Sequence, residues 1–152
     1  MYHLGNLSIL KLPKTGFLCS RKVPSGIILK TYDWAIEQRD KGVCVVSGFH
    51  SKIEKDVMHY LLKGDQPLMM VLARGMKKRW SEEILTELNK DRLLIITPFE
   101  QKNKRVNQQT ALLRDRLITE LAEKIFVPYC SPGGVLDKLL SSLPPDKQVI
   151  SF

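Results

Sequence analysis

The residues best equipped for chemistry stand where apolar runs stop. "TGFLC" (Thr15–Cys19) ends on Ser20-Arg21, and a Pro-Ser-Gly turn leads through Ser25-Gly26 into the helical pattern "IILKTYDWAIEQRDKG". "GVCVV" ends in the same way on Ser47-Gly48. Hydroxyls, a guanidinium and the unpaired N–H groups of a helix start all donate to an oxyanion. A glycine beside them lets the backbone come close to the bound group. Phosphate is the ligand chemistry to which this spacing points.

Cations gather after the later apolar runs. "RGMKKRW" (Arg74–Trp80) carries four in seven residues, "KNKR" (Lys102–Arg105) carries three, and Arg114 and Arg116 lie near the start of the next helical pattern. Single-stranded nucleic acid is held by a cationic groove with aromatic platforms for the bases. Trp80 is the aromatic residue embedded in such a patch, whereas Trp34 has the spacing of a helix face packed on a sheet. Aromatic residues make up only 7% of the chain, so phosphate contacts would carry most of the binding. The net charge of +8 suits the same class of partner.

Other chemistries find less support. Cys19, Cys44 and Cys130 are odd in number and far apart, which fits neither a disulfide framework nor a zinc site, and all three are expected to be small buried hydrophobes. His50 and His59 have no third ligand at a suitable interval, so neither a metal nor a cofactor is expected. Glu54, Asp56 and Asp115 could supply an acid, but none has a partner matched by spacing, and no Ser-His-Asp or Cys-His grouping can be assembled.

The elements that must position these residues alternate regularly. Runs of strand length, rich in branched residues, recur at Thr15–Cys19, Gly42–Gly48, Pro67–Ala73, Arg92–Pro98 and Lys124–Cys130. They are nearly continuous in apolar character, as strands covered on both faces should be. Between them helical periodicity covers Ser25–Lys41, Lys52–Lys63, Ser81–Lys90, Gln109–Glu123 and Gly133–Leu143. Ser81 before Glu82-Glu83 predicts an N-cap, Thr110 a second, and Gly42 and Gly64 predict left-handed helix ends. A last short strand is expected at Gln148–Ile150. The pattern predicts one α/β domain over residues 1–152, a three-layer fold with a mainly parallel sheet and helices on both faces. In such a sheet ligands bind beyond the carboxyl ends of the strands. No apolar stretch reaches the ~20 residues that span a bilayer. The opening "MYHLGNLSILKLPK" lacks the layout of a secretory signal. A cytoplasmic protein with no membrane partner is expected.

Four segments in order, "GNLSILKLPKTGFLCSRKVPSG", "VVSGFHSKIEKDVMH", "VLARGM" and "LLRDRLITELAEKIFVPY", give the chain a family likeness. Over about Gly5 to Leu140 it resembles the Rossmann-like core of the DNA-processing protein A (DprA/Smf) family, within a superfamily that includes LOG-type nucleotide hydrolases. The resemblance implies that Ser20 and Arg21 match a Gly-Ser-Arg motif, with Cys19 in place of its glycine. Ser47 and Gly48 match a Ser-Gly motif, Glu54 stands for its aspartate and His59 for its histidine, and Lys52 replaces a glycine. Gly75 matches a turn glycine. Arg114 and Arg116 match the outer residues of Arg-Asn-Arg, with Asp115 replacing the asparagine. Family members bind single-stranded DNA at the carboxyl edge of the sheet and help load a recombinase.

The resulting expectation is non-catalytic binding of single-stranded DNA, or of a nucleotide phosphate, in a DNA-processing and recombination-mediator role. Ser20, Arg21, Ser25, Ser47 and Gly48 would form the anion cradle, Lys52, Arg114 and Arg116 would add charge, and Gly75 would permit a turn. A recombinase and a second copy of the chain stand as further partners. The alternative is a LOG-like hydrolase of nucleoside monophosphates. It rests on "SPGGVLDKLL" (Ser131–Leu140), which is similar to the Pro-Gly-Gly-x-Gly-Thr turn of those enzymes but has Leu136-Asp137 in place of Gly-Thr.

Overall fold

A computed structural model describes every residue from Met1 to Phe152. Seven strands form one sheet in the order β1-β5-β4-β3-β2-β6-β7. They are β1 (Tyr2–Gly5), β2 (Lys14–Phe17), β3 (Cys44–Ser47), β4 (Leu68–Val71), β5 (Leu93–Thr97), β6 (Lys124–Phe126) and β7 (Gln148–Ile150). Strand β1 runs antiparallel to β5, and every other pairing is parallel. The helices are α1 (Ser25–Lys41), α2 (Lys52–Leu62), α3 (Glu82–Asn89), α4 (Gln108–Leu121) and α5 (Val135–Ser141), and a 3-10 turn covers Leu7–Lys11.

Two cores sandwich the sheet, as the continuous apolar runs require. Alternate strand residues point to opposite faces. Phe17, Val45, Leu68, Met70 and Ile95 therefore join Trp34, Val57, Leu61 and Ile84 from α1, α2 and α3. Leu18, Val46, Met69, Leu94 and Ile125 join Ile9, Ile118, Ala122 and Leu139 from the 3-10 turn, α4 and α5. Trp34 stacks on Phe126 with ring centroids 4.3 Å apart and on Phe17 at 5.4 Å. It is thus a core residue on a helix face.

Local chemistry sets the boundaries. Helix α1 closes on Gly42 at φ +72°, where a left-handed residue is needed, with Arg39 and Lys41 in the last turn. Ser81 caps α3 by accepting from the Ile84 N–H. Helix α4, however, is capped by Asn107 and not by Thr110. Thr110 occupies the third position of that capping box, and its hydroxyl accepts the Asn107 N–H at 2.9 Å. The glycine at Gly64 is required by packing and not by a left-handed turn, because α2 ends on Lys63 in a helical conformation. A Cβ at Gly64 would lie 2.2 Å from Gln66 Oε1. Strand β1 carries no sequence signal of its own, because all four of its residues are exposed and none belongs to an apolar run.

Arg92 fastens this frame from beneath. Its guanidinium is buried and donates to the carbonyls of Gln66 (2.8 Å), Leu62 (3.0 Å) and Leu61 (3.1 Å) and to Glu87 Oε2 (3.0 Å). The end of α2, the turn into β4, and α3 are thereby tied to the start of β5. Replacing Arg92 by alanine would take this donor from the Gln66 and Leu62 carbonyls and leave the buried Glu87 carboxylate only Lys90 at 3.7 Å, while Leu61 keeps the N–H groups of Gly64 and the Gln66 amide. The Arg92→Ala protein is expected to lose about 3–5 kcal/mol of stability, read as a lower urea midpoint with an unchanged slope.

Candidate nucleic-acid interface

The parallel strands send their loops to one edge, and the loops after β3, β4 and β5 enclose a cleft of about 740 Å³ there. Lys55, Arg74, Lys77, Arg79, Lys104, Arg105 and Arg114 line it with His50, and no carboxylate does. Its floor is apolar, built from Met70, Leu72 and Ile84. Trp80 forms part of one wall, with Lys77 Nζ 5.3 Å from its ring centroid. The indole N–H of Trp80 is shielded from solvent and has no acceptor.

Three devices hold the cleft open. Gly75 N–H donates to the Asn103 carbonyl at 2.7 Å, tying the loop after β4 to the loop after β5. That approach needs glycine, because a Cβ there would lie 2.3 Å from the Glu100 carbonyl oxygen. Thr97, at the end of β5, donates its hydroxyl to the Arg74 carbonyl and accepts the Phe99 N–H. Gly48 gives Arg114 its place, since a Cβ on Gly48 would stand 2.7 Å from Arg114 Nε and 2.8 Å from Cδ and Cζ. The guanidinium of a residue on α4 thus lies against the carboxyl end of β3.

Charge crowding shifts the ionisable groups. Partial desolvation pulls the His50 ring below its ordinary range, and the positive charges of Arg114, Lys55 and Arg21 pull it further against Glu54. Desolvation also lowers Lys77, helped by Arg74 and Lys55. Burial pushes Asp115 up to about 6, with the Glu54 carboxylate adding to it and Arg114 and Arg21 opposing. Arg21 and Arg114 act on the same two groups, so they stand on one rim of the sheet.

The expected site residues separate into groups. Gly48 and Arg114 lie in the cleft, and Gly75 supports its wall. Arg21 and Ser25 are exposed on the neighbouring loop and at the first turn of α1. Ser20 braces one loop against another: its Oγ accepts the Ser131 N–H at 2.9 Å, and its own N–H donates to the Tyr129 carbonyl at 3.0 Å. Ser47 corrects the expected cradle. It is fully buried, and its hydroxyl lies within the fold, accepting the Phe49 N–H at 3.4 Å. Lys52 extends into solvent and pairs with Asp56 at 2.6 Å, while Lys55, one turn on, is the lysine that lines the cleft. Arg116 is exposed two residues beyond Arg114, a spacing that sends the two side chains to different faces of α4.

Several other groups fall outside the cleft. His59 is in the last turn of α2, in edge contact with Tyr60. Glu54 is a cap: its Oε1 accepts the N–H groups of His50 and Ser51. In the Ser131–Leu140 segment the Gly133 N–H is taken by Asp137 Oδ2 at 2.8 Å, so the chain's own carboxylate fills the place a phosphate would occupy. Cys44 is buried, Cys19 and Cys130 are half-buried, and all three are free thiols. Lys55, Arg79, Lys104 and Arg105 complete the lining; their presence in cationic runs was the signal, and which side of each loop they take was not.

Comparison with known proteins follows the same lines. A family model described as DNA recombination-mediator protein A matches residues 1–134. The chain belongs to that family. It superposes on DNA processing protein A from Helicobacter pylori, described for its single-stranded DNA binding mode, with a TM-score of 0.73 at 17% identity, covering 92% of this chain and 65% of that one. DNA processing protein A from Streptococcus pneumoniae gives 0.75 at 17% identity, covering 98% and 53%. The chain therefore spans between about half and two thirds of the length of these two proteins. A molybdenum cofactor binding protein from Rippkaea orientalis shares the fold at 0.60 and 11% identity. No curated protein matches.

Two measurements probe the cleft. The His50 ring should titrate below its ordinary 6.5 in the free protein and move upward when an anionic oligonucleotide is added, followed by NMR; an unmoved midpoint places the ligand elsewhere. Gly48→Ala should keep the fold, since the clash falls on a side chain and not on backbone. It should displace Arg114 and weaken binding of the same oligonucleotide several-fold.

Proposed function

We propose that the protein binds single-stranded DNA without catalysis, through the cleft beyond β3, β4 and β5, in a DNA-processing and recombination-mediating role. The observation that carries this reading is the lining of seven cations and no carboxylate. A mononucleotide needs two or three such groups. Seven spread over two loops and two helices suit several successive phosphates, which favours a polymer over a single nucleotide. Family membership and the single-stranded DNA binding described for the Helicobacter pylori protein support the same ligand.

The roles divide by chemistry. Arg74, Lys77, Arg79, Lys104 and Arg105, on loops, neutralise phosphates, while Arg114, fixed against Gly48, sets the position of one of them. Trp80 offers a face for a base, and base–aromatic stacking contributes about 1–3 kcal/mol per base. Arg21 and Ser25 extend the surface toward β2, and Ser20 holds that extension in place through Ser131.

Binding of this kind releases counterions. If about five cations contact phosphates, log K should fall against log salt with a slope of about −3.5, following −0.7 per contact on single strands. The Lys104→Gln/Arg105→Gln protein should show a slope shallower by about 1.4 with unaltered thermal unfolding. Polarisation titrations of labelled oligothymidine at several salt concentrations measure both. Affinity that does not respond to salt, or that a mononucleotide competes for equally, would remove this function.

A further inference from the structure

Arg114 differs from the other cations of the cleft. Its side chain is only 7% exposed, it rests on the open face of Gly48, and Asp115 Oδ1 lies 3.0 Å from its Nε. Lys77, Arg79, Lys104 and Arg105 on the loops are exposed to solvent. Arg114 is already engaged, and its partner is the next residue of its own helix. A phosphate that meets this guanidinium through Nη1 and Nη2 shares it with a fixed carboxylate held at Nε. We propose that Asp115 is a positioning residue that holds Arg114 in check, so that a phosphate binds there together with a proton on the Asp115 carboxyl. This rests on the cleft reading above and adds to it a regulation by pH.

The groups around Asp115 come from three elements. Arg114 faces it from α4, Glu54 from α2 and Arg21 from the loop after β2. His50, after β3, faces Arg114, Glu54 and Arg21 in turn. Two carboxylates, two guanidinium groups and the Lys55 ammonium thus share one partly closed rim. An added phosphate brings further negative charge beside both carboxylates. The carboxylate whose charge is least well supported is then the one to take up a proton. Glu54 accepts two backbone N–H groups and is tied into a helix cap, whereas Asp115 has only the Arg114 contact among hydrogen-bond donors. Burial already pushes Asp115 up to about 6, within reach of physiological pH. Its affinity for a proton is higher in the bound state than in the free one. Binding therefore tightens as the pH falls toward 6 and weakens as the pH rises above it.

The test is a polarisation titration of labelled oligothymidine at constant ionic strength between pH 5.5 and pH 8.5. It compares the natural chain, Asp115→Asn and His50→Asn. Asparagine keeps the size and an acceptor oxygen for Arg114 but carries no charge. The natural chain should lose about tenfold in affinity from pH 6.5 to pH 8.5, inside the roughly hundredfold limit that one coupled proton sets over two pH units. Asp115→Asn should lose most of that dependence and bind more tightly at pH 8.5, whereas His50→Asn should lose only the smaller share that its own ring contributes and keep the rest. A merely structural Asp115 would give curves for the natural chain and Asp115→Asn that run parallel, and that result overturns the proposal. So does a dependence that vanishes in His50→Asn and survives in Asp115→Asn. Should Asp115→Asn fold poorly, carbon NMR of the Asp115 carboxyl in the natural chain decides, because its midpoint must rise on adding oligothymidine. Failure of every protein to bind at any pH overturns the cleft reading itself, an outcome distinct from parallel curves.

Discussion

The candidate site depends on where one crossover must pass. Strands β2 to β5 step outward across the sheet, and the chain must then return to place β6 on the far side of β2. Helix α4 makes that return and packs across β4, β3 and β2 on the way. The crossing brings the first half of α4 over the carboxyl ends of the central strands. Arg114 enters the cleft because it lies on the sheet-facing side of this helix, four residues before the fully buried Ile118. Gly48 matters for the same reason: at the end of β3 a side chain would occupy the space that the guanidinium fills. Topology supplies the approach and a missing Cβ supplies the room.

Concentrating cations at one edge works against folding, since an unliganded cleft of like charges repels itself. Desolvation is the larger reason that His50 and Lys77 hold their protons less well, and the neighbouring cations add to it. The compensation lies elsewhere in the molecule. Beneath the sheet Arg92 is satisfied by three carbonyls and Glu87, and the Phe17–Trp34–Phe126 stack closes one core. Arg92, at the amino end of β5, meets its partners inside the fold, whereas the loop cations beyond the carboxyl ends of β4 and β5 are left for a ligand.

What could be read in the sequence follows from which signals are local. Alternating apolar runs and helical patterns gave the layers, because continuous strands covered on both faces have no other arrangement. Ser81 and Gly42 act within their own turns and were legible as caps. Asn107 was not, since Thr110 has equal capping chemistry and only the backbone decides between them. Strand β1 left no trace, being exposed at a sheet edge. The cationic runs marked the cleft but not its membership: Lys52 and Lys55 are both lysines at the start of α2, and one turn of helix puts them in different surroundings. Ser47 carried the right hydroxyl at the right strand end and is nevertheless sealed in the fold, because both faces of β3 are covered and every residue of the strand is buried.

A sheet of this order has a natural crevice where the strand sequence reverses, here between β2 and β6. In this chain that crevice is closed by the protein's own hydrogen bonds. Ser20 receives the Ser131 N–H, the ladder continues through the Ser20 N–H to Tyr129, and Asp137 takes the Gly133 N–H. Each of these would otherwise be a donor for a small anion in a tight pocket. With the crevice shut, the open surface is the broader cleft beyond β3, β4 and β5, whose cations come from long side chains on loops and not from backbone N–H groups. A pocket of backbone donors fits one phosphate group in one orientation. A row of long cationic side chains over an apolar floor tolerates a flexible strand and many registers along it, the requirement set by a ligand bound by its backbone and not by its sequence.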